Sequence, residues 1–147
     1  MKILSVDLGR ARTGLAVCDE NELLASPAGV ISERDMERLA QKIALQAKEK
    51  AVGIIVVGLP RNMDGSEGES ARNARAFAEI LRALVNVPVE LRDERGTTLT
   101  AHEYLNTTDT RGKKRKAVVD AVAATIILQD YLDYRRNQRS KSERQDV

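Results

Sequence analysis

The chain has 147 residues, of which 42% are hydrophobic and 31% are charged, an ordinary composition for one globular domain. No apolar run approaches the roughly 20 residues that a membrane-spanning helix needs, and the amino terminus has no signal-peptide pattern, so we expect a cytoplasmic protein with no membrane partner. One cysteine, Cys18, and one histidine, His102, exclude an intramolecular disulfide and a His/Cys zinc site. Any bound metal must therefore have oxygen ligands.

Charge is unevenly distributed along the chain. Residues 1–110 carry 14 basic against 17 acidic residues, a balance of −3, whereas residues 111–147 carry 10 against 5, a balance of +5. With no Trp, one Phe and three Tyr, the chain has too few aromatic side chains for a base-stacking surface. We therefore expect the carboxy-terminal quarter to meet a polyanion, mainly through its phosphates.

The first segment is predicted to be a β-hairpin with a carboxylate at its mouth. An apolar run, Ile3–Val6, places Asp7 at the end of a strand, and a second apolar run, 15–18, follows a tight turn. The turn contains two glycines and two arginines, Gly9, Gly14, Arg10 and Arg12. A carboxylate at the end of a buried strand needs a metal ion or a cationic partner, unless Asp7 only caps its own turn.

The middle of the chain is predicted to alternate strands and helices. A third strand at 23–31 contains Pro27, which favours a sheet edge. Ser32 is the predicted N-cap of a helix that ends near Lys50, and Ser66 is the predicted N-cap of a second helix that runs to Val85. Between these helices, residues 54–57 are predicted to form a central strand covered on both faces, and residues 87–91 are predicted to form a fifth strand. The loop at 60–68 follows the central strand, where open α/β sheets bind ligands.

Acidic and basic residues dominate the last third of the chain. Asp93 and Glu94 follow the fifth strand, and a short helix is expected near 99–106. Residues 107–116 are predicted to be a flexible basic loop. Residues 117–128 are apolar except for two, Asp120 and Thr125, so this helix should be buried. Residues 137–147 are expected to be a basic, disordered tail beyond a domain of residues 1–136.

Three carboxylates are expected to converge. An antiparallel meander followed by right-handed βα units brings the carboxyl ends of the first, fourth and fifth strands to one edge, where Asp7 and Glu94 could meet. If Asp120 joins them, like charges that close require a counter-ion. Two Mg²⁺ or Mn²⁺ ions would fit, and such a pair supports in-line hydrolysis of a phosphodiester. Alternatively, Asp120 interacts with the dipole of its own helix or pairs with the basic loop.

Basic and amide side chains near these carboxylates are expected to bind phosphates. Those side chains are Arg10, Arg12, Arg61, Asn62, Arg95, Arg111, Lys113, Lys114, Arg115 and Lys116.

Several motifs in series resemble the YqgF family, also called RuvX, of RuvC-like Holliday-junction resolvases and pre-16S rRNA nucleases. The resemblance covers roughly residues 1–134. It rests on Asp7-Leu8-Gly9 with Thr13-Gly14, the loop from Val57 to Gly65, Asp93-Glu94-Arg95, Thr97-Thr98, Lys113–Lys116, and Asp120 with Ala123-Ala124. One departure is Gly96, where the family usually has an apolar residue, so Asp93 stays open as a substitute for Glu94.

The resemblance implies an RNase H-like fold with a mixed five-stranded sheet and helices on both faces. It implies a divalent-metal phosphodiesterase with Asp7, Glu94 and Asp120 as ligands, which trims the 5′ end of pre-16S rRNA. The substrate is then structured RNA or branched DNA.

Other functions fit the same residues. A non-cleaving RNA-binding module would use the basic segment equally well, and the Asp-Leu-Gly and Thr-Gly hairpin also resembles the phosphate loop of sugar-kinase and actin-type ATPases. Those ATPases need a second domain, for which 147 residues leave no room. Both a monomer and a homodimer fit the sequence.

Overall fold

The computed structural model describes the backbone of residues 1–94 and 112–145 and the side chains of residues 1–94 and 121–142. The expected helix near 99–106, His102, the Thr97-Thr98 pair, Arg95 and Arg111 lie outside the described residues. The strands are β1 (Ile3–Asp7), β2 (Arg12–Cys18), β3 (Ala25–Ser32), β4 (Ile54–Leu59) and β5 (Val89–Asp93). The helices are α1 (Met36–Glu49), α2 (Glu69–Leu84) and α3 (Gly112–Gln145).

The strands form one mixed sheet in the order β3-β2-β1-β4-β5. The first three strands are an antiparallel meander, whereas β1, β4 and β5 are parallel to one another. This arrangement confirms the predicted topology, including the edge position of β3, whose Pro27 has no backbone N–H to donate. The carboxyl ends of β1, β4 and β5 therefore lie along one side of the sheet, which we call the carboxyl edge.

Helices cover both faces of the sheet. Alternate residues of each strand point to opposite faces, so Leu4 and Val57 pack with α1 and α2, while Ile3 and Val56 pack against α3. Every residue of β4 is buried, as predicted for a central strand. On the α3 side, the helix contributes a continuous apolar stripe, Ala124, Ile127, Leu128, Tyr131 and Leu132.

Both predicted helix caps are wrong. Ser32 belongs to β3, where it pairs with Arg12, and α1 begins instead after Asp35, whose carboxylate accepts a hydrogen bond from the Arg38 N–H at 3.0 Å. The Ser66 hydroxyl donates to the Asp64 carboxylate at 2.6 Å, so it serves the loop rather than α2. The N-cap of α2 is Gly68, with no side-chain cap hydrogen bond.

Helix α3 is longer than predicted at both ends. It begins at Gly112, so residues 112–116 are helical rather than a flexible loop, and it continues through Gln145 rather than ending in a disordered tail. Packing of its central turns on the sheet stabilises the helix, and the flanking Lys, Arg and Gln residues are good helix formers that extend it. Within the described residues, no helix combines the length and the apolar character needed to cross a membrane.

Candidate active site

Asp7 and Glu94 lie at the carboxyl edge on opposite sides of β4. Asp7 ends β1, and Glu94 directly follows β5, where its backbone N–H donates to the carbonyl of Leu59 at 3.1 Å. The Glu94 side chain turns back over β4 and makes a hydrogen bond with the Asp7 carboxyl group. Residues 87 positions apart in the chain are thus brought together by the parallel strands, as the predicted topology requires.

Gly58 leaves the space in which the Glu94 carboxyl group rests. A Cβ atom at this position would lie 2.9 Å from the Glu94 carboxyl carbon and 2.8 Å from Cδ1 of Ile127. The predicted strand ends at residue 57, so this role of Gly58 was not predicted. The available signal was a glycine within a β-branched strand, which often marks a close approach by another group.

The two carboxyl groups share a proton at neutral pH. Burial raises the pKa of Glu94 to about 9, and the charge of Asp7, the hydrogen bond with Asp7 and the charge of Asp93 act in the same direction. A neutral Glu94 donates its proton to the Asp7 carboxylate, which relieves the repulsion between them. A pair of carboxyl groups in this state can exchange the proton for a cation.

Glu94, rather than its alternative Asp93, makes the hydrogen bond with Asp7. Asp93 is the last residue of β5, opposite Leu59 in the sheet, and its charge adds to the repulsion at Glu94. Successive residues of a strand point to opposite faces of the sheet. A shift of one residue in the register of β5 would therefore exchange the faces of Asp93 and Glu94, so the register decides which carboxyl group faces Asp7.

Along the direction of β1, the backbone of α3 places Asp120 at about the same position as Asp7. The buried Ser5 hydroxyl of β1 donates to the Ala124 carbonyl at 2.7 Å, and farther along α3 Arg135 reaches Glu22. Glu22 also binds the amino group of Met1, so α3 runs antiparallel to β1. Four helical residues, about 6 Å, separate Ala124 from Asp120, and two strand residues, about 7 Å, separate Ser5 from Asp7. The side chain of Asp120 lies outside the described residues.

Among the side chains that the structure describes, no group of three or more His, Cys, Asp or Glu residues is arranged to hold a metal ion. The described part of the candidate site is the Asp7–Glu94 pair, and the third predicted ligand belongs to the part of α3 without described side chains.

The predicted phosphate-binding residues fall into two groups. On the described surface, Arg10 forms an exposed ion pair with Glu69 at 3.7 Å, and Arg12 is half-buried in β2.

In the loop after β4, Arg61 lies 3.4 Å from Glu67, and the Asn62 amide donates to Ser66 at 2.9 Å. Arg61 and Asn62 therefore maintain the shape of their own loop. Lys113, Lys114, Arg115 and Lys116 lie in the first turns of α3, with side chains outside the described residues.

Known proteins share this sequence and this fold. A family model described as "RuvX: Holliday junction resolvase" matches residues 1–134. A protein of Anaeromyxobacter sp. (strain Fw109-5), named "Putative pre-16S rRNA nuclease", is 49% identical over 92% of this chain and 98% of its own length.

Two solved structures show the same fold at low sequence identity. RuvC of Thermus thermophilus in complex with a Holliday junction substrate has a TM-score of 0.59 at 16% identity, covering 93% of this chain and 96% of that one. The Fowlpox virus resolvase in complex with Holliday junction DNA has a TM-score of 0.56 at 10% identity, covering 91% and 98%. The α/β fold is therefore that of RuvC and related resolvases, and by its sequence the chain belongs to the RuvX family.

Proposed function

We propose that this protein is a divalent-metal-dependent nuclease that processes the 5′ end of pre-16S rRNA in the cytoplasm. The observation that carries the proposal is the Asp7–Glu94 pair at the carboxyl edge, where β1 and β5 flank a glycine of the central strand. Family membership and the name of the Anaeromyxobacter relative support the reaction and the substrate.

The residues of the pair fit a hard divalent cation. Their donors are carboxylate oxygens, which Mg²⁺ and Mn²⁺ prefer, and the raised pKa of Glu94 marks a place where positive charge is needed. We infer that Asp7, Glu94 and Asp120 hold two such ions. When bound, the ions supply Lewis acidity toward a phosphodiester and its attacking water.

The chain's own residues position the reactants. Asp7 ends β1, Glu94 directly follows β5 and is tied to β4 through its backbone N–H, and Asp120 belongs to a helix packed on the sheet. Regular elements therefore position these residues. We infer that the three lysines and one arginine at 113–116, in the first turns of the same helix, bind neighbouring phosphates. Hydrolysis then forms a bond between the water oxygen and phosphorus and breaks the bond between phosphorus and the leaving oxygen, which takes up a proton in place of the one the water loses.

A metal titration tests the proposal. Cleavage of a 5′-extended pre-16S rRNA fragment is expected with Mg²⁺ or Mn²⁺ and none with EDTA. Asp7→Asn and Asp120→Asn should each reduce cleavage by about 100-fold or more, because a lost ligand removes several kcal/mol of transition-state stabilisation. Asp133→Asn, an exposed position on the same helix, is the matched control. Full activity in a correctly folded Asp120→Asn protein would contradict the metal mechanism.

Holliday-junction resolution is the second candidate, favoured by the family description and by the junction complexes of both structural neighbours. Assaying a synthetic four-way junction beside the RNA separates the two substrates. A third outcome, salt-dependent binding of RNA without cleavage in either metal, would identify a non-cleaving RNA-binding module.

A further inference from the structure

The carboxy-terminal turns of α3 form a surface that the proposed active site does not use. Residues 136–142 read Arg-Asn-Gln-Arg-Ser-Lys-Ser, and every one of these side chains is exposed. We call these residues the distal segment. We propose that the distal segment binds phosphates of the nucleic-acid substrate at a second position, far from the Asp7–Glu94 pair.

The distal segment lies near the amino end of β1, whereas the candidate active site lies at the carboxyl edge. Because α3 runs antiparallel to β1, its later turns pass the amino end of that strand, where Arg135 contacts Glu22 at 2.7 Å. Nineteen residues separate Asp120 from Arg139 in the helix, a distance of about 28 Å. One turn of B-form DNA, 10–10.5 base pairs, is about 34–36 Å long. A duplex must therefore have roughly eight base pairs or more to pass both Asp120 and Arg139.

A buried carboxylate fixes the base of the distal segment and leaves it positively charged. Glu22, which is 5% exposed, lies 2.7 Å from Nε of Arg135, 3.7 Å from Arg139 and 3.3 Å from the Met1 amino group. Three cations therefore share one carboxylate. Arg136 pairs with Asp133 at 3.6 Å. Because Glu22 has three cationic partners and Lys141 adds another positive charge, this end of α3 stays positively charged and attracts a polyanion.

Side chains of β5 contact α3 between the Asp7–Glu94 pair and the distal segment. Arg92, two residues before Glu94, has its guanidinium carbon 4.6 Å from the ring centre of Tyr134, which is one helical turn before Gln138. Two acidic side chains take part in these contacts: Asp130 lies 3.0 Å from Arg92, and Glu90 accepts a hydrogen bond from the Tyr131 hydroxyl. The Arg92 guanidinium therefore offsets the charge of Asp130, the acidic residue of α3 beside it.

The chemistry of the distal segment favours nucleic acid over a protein partner. Arg, Lys, Ser, Asn and Gln are the side chains that contact phosphate and sugar oxygens, whereas stable protein interfaces depend on buried aromatic or apolar anchors. The distal segment contains no acidic, aromatic or apolar residue. The inference rests on the proposed function for the identity of the ligand, and it adds where that ligand is held.

Binding to RNAs of two lengths tests the inference. In an Asp7→Asn background, which blocks cleavage, affinity is measured by fluorescence anisotropy across a salt series for hairpins of about 6 and about 24 base pairs. The variant carries Arg136→Ser, Arg139→Ser and Lys141→Ser. For the long hairpin we expect affinity to fall about 10-fold or more, with a salt dependence shallower by about 2–3 units of log K against log salt. Affinity for the short hairpin should not change.

Matched variants test whether a general loss of positive charge explains the weaker binding. Arg38→Ser, Lys42→Ser and Lys48→Ser remove the same charge from exposed positions of α1, on the other face of the sheet, and should leave the long hairpin unaffected. A double variant, Arg136→Ser with Lys141→Ser, keeps the Arg139–Glu22 contact. Its affinity for the long hairpin should still fall, but by less than in the triple variant.

Unchanged affinity for the long hairpin, or an equal loss for both hairpins, would overturn the inference. Failure of the proposed function is a separate result, because it shows as absence of cleavage by the wild-type protein whatever the distal segment does.

Discussion

Gly58 is the residue at which one added methyl group would act most directly on the carboxyl pair. In Gly58→Ala the new Cβ would lie within 3 Å of the Glu94 carboxyl carbon and of Cδ1 of Ile127, both at the ends of flexible side chains. The side chains can move, so the free energy of unfolding should change by about 1 kcal/mol or less. Glu94 must leave Asp7, so cleavage should fall about 10- to 100-fold.

Gly68→Ala is the matched control for this prediction, because a Cβ at position 68 has no neighbour within 4 Å. Urea denaturation and the cleavage rate are measured for both variants. Equal cleavage rates in the two variants would show that Glu94 does not need its place over Gly58.

The shared proton makes the stability of the metal-free protein depend on pH. The pKa of Glu94 is raised from 4.5 to about 9 in the folded protein, so between these values the unfolded chain releases a proton that the folded protein keeps. The contribution of Glu94 to stability is therefore complete below about pH 4.5 and is lost as the pH rises toward 9. Glu94→Gln keeps a neutral side chain, so it should be more stable than wild type by about 1–2 kcal/mol at pH 8.

Urea denaturation in EDTA at several pH values measures this difference. We expect wild type and Glu94→Gln to converge toward pH 5 and to diverge above it. A constant difference across the whole range would mean that Glu94 does not hold its proton in the folded protein.

Among the secondary-structure elements, α3 is joined to β1 by a buried hydrogen bond between Ser5 and Ala124. Ser5→Ala removes the buried hydrogen bond to the Ala124 carbonyl and should lower the free energy of unfolding by about 1 kcal/mol. If Asp120 is a metal ligand, the looser alignment of α3 should also weaken Mn²⁺ binding, measured by titration calorimetry. Thr125→Ala is the control, because its hydroxyl bonds within α3 to Ala121 at 2.7 Å. A similar loss of Mn²⁺ affinity in both variants would exclude this positioning role for Ser5.

The elements themselves were predictable to different degrees. Apolar runs and β-branched content located most of the strands, because burial against helices leaves a direct pattern in the sequence. The third strand was predicted from its flanking turn and helix cap, and it exists although that cap is wrong. The caps at Ser32 and Ser66 were wrong because a serine serves a strand, a loop or a helix end equally well, and tertiary context selects among them. The ends of α3 were missed because charged helical turns have no apolar periodicity.

At the scale of the whole molecule, topology predicted which residues could meet but not how they meet. Parallel strands were enough to bring Asp7 and Glu94 to one edge. The space over Gly58 depends on the exact twist and register of β4 and β5, which no local pattern reports. The contact between Glu22 and Arg135 spans 113 residues and joins a turn to a helix, so neither segment reveals its partner.

Glu22 connects the amino terminus, the β2–β3 turn and α3, and its removal should weaken the whole fold. Its backbone φ is 57°, in the left-handed region, and burial opposes its charge, yet the hydrogen bond and charge of Arg135 and the Met1 amino group lower its pKa. Glu22→Gln should therefore reduce the free energy of unfolding by about 1–3 kcal/mol at pH 7, less than for a fully buried pair because Arg135 is partly exposed.

Because the pKa of Glu22 is lowered in the folded protein, its ion pairs contribute fully to stability above about pH 4.5, the ordinary pKa of glutamate. This contribution is lost as the pH falls through the lowered pKa. The difference between wild type and Glu22→Gln, measured by urea denaturation, should therefore shrink toward pH 3. Glu33→Gln, which breaks an ion pair with the exposed Lys42, is the comparison and should cost less than about 1 kcal/mol. If the two variants lost equal stability at pH 7, burial of Glu22 would add nothing to its ion pairs, and the link between the chain terminus and α3 would be dispensable.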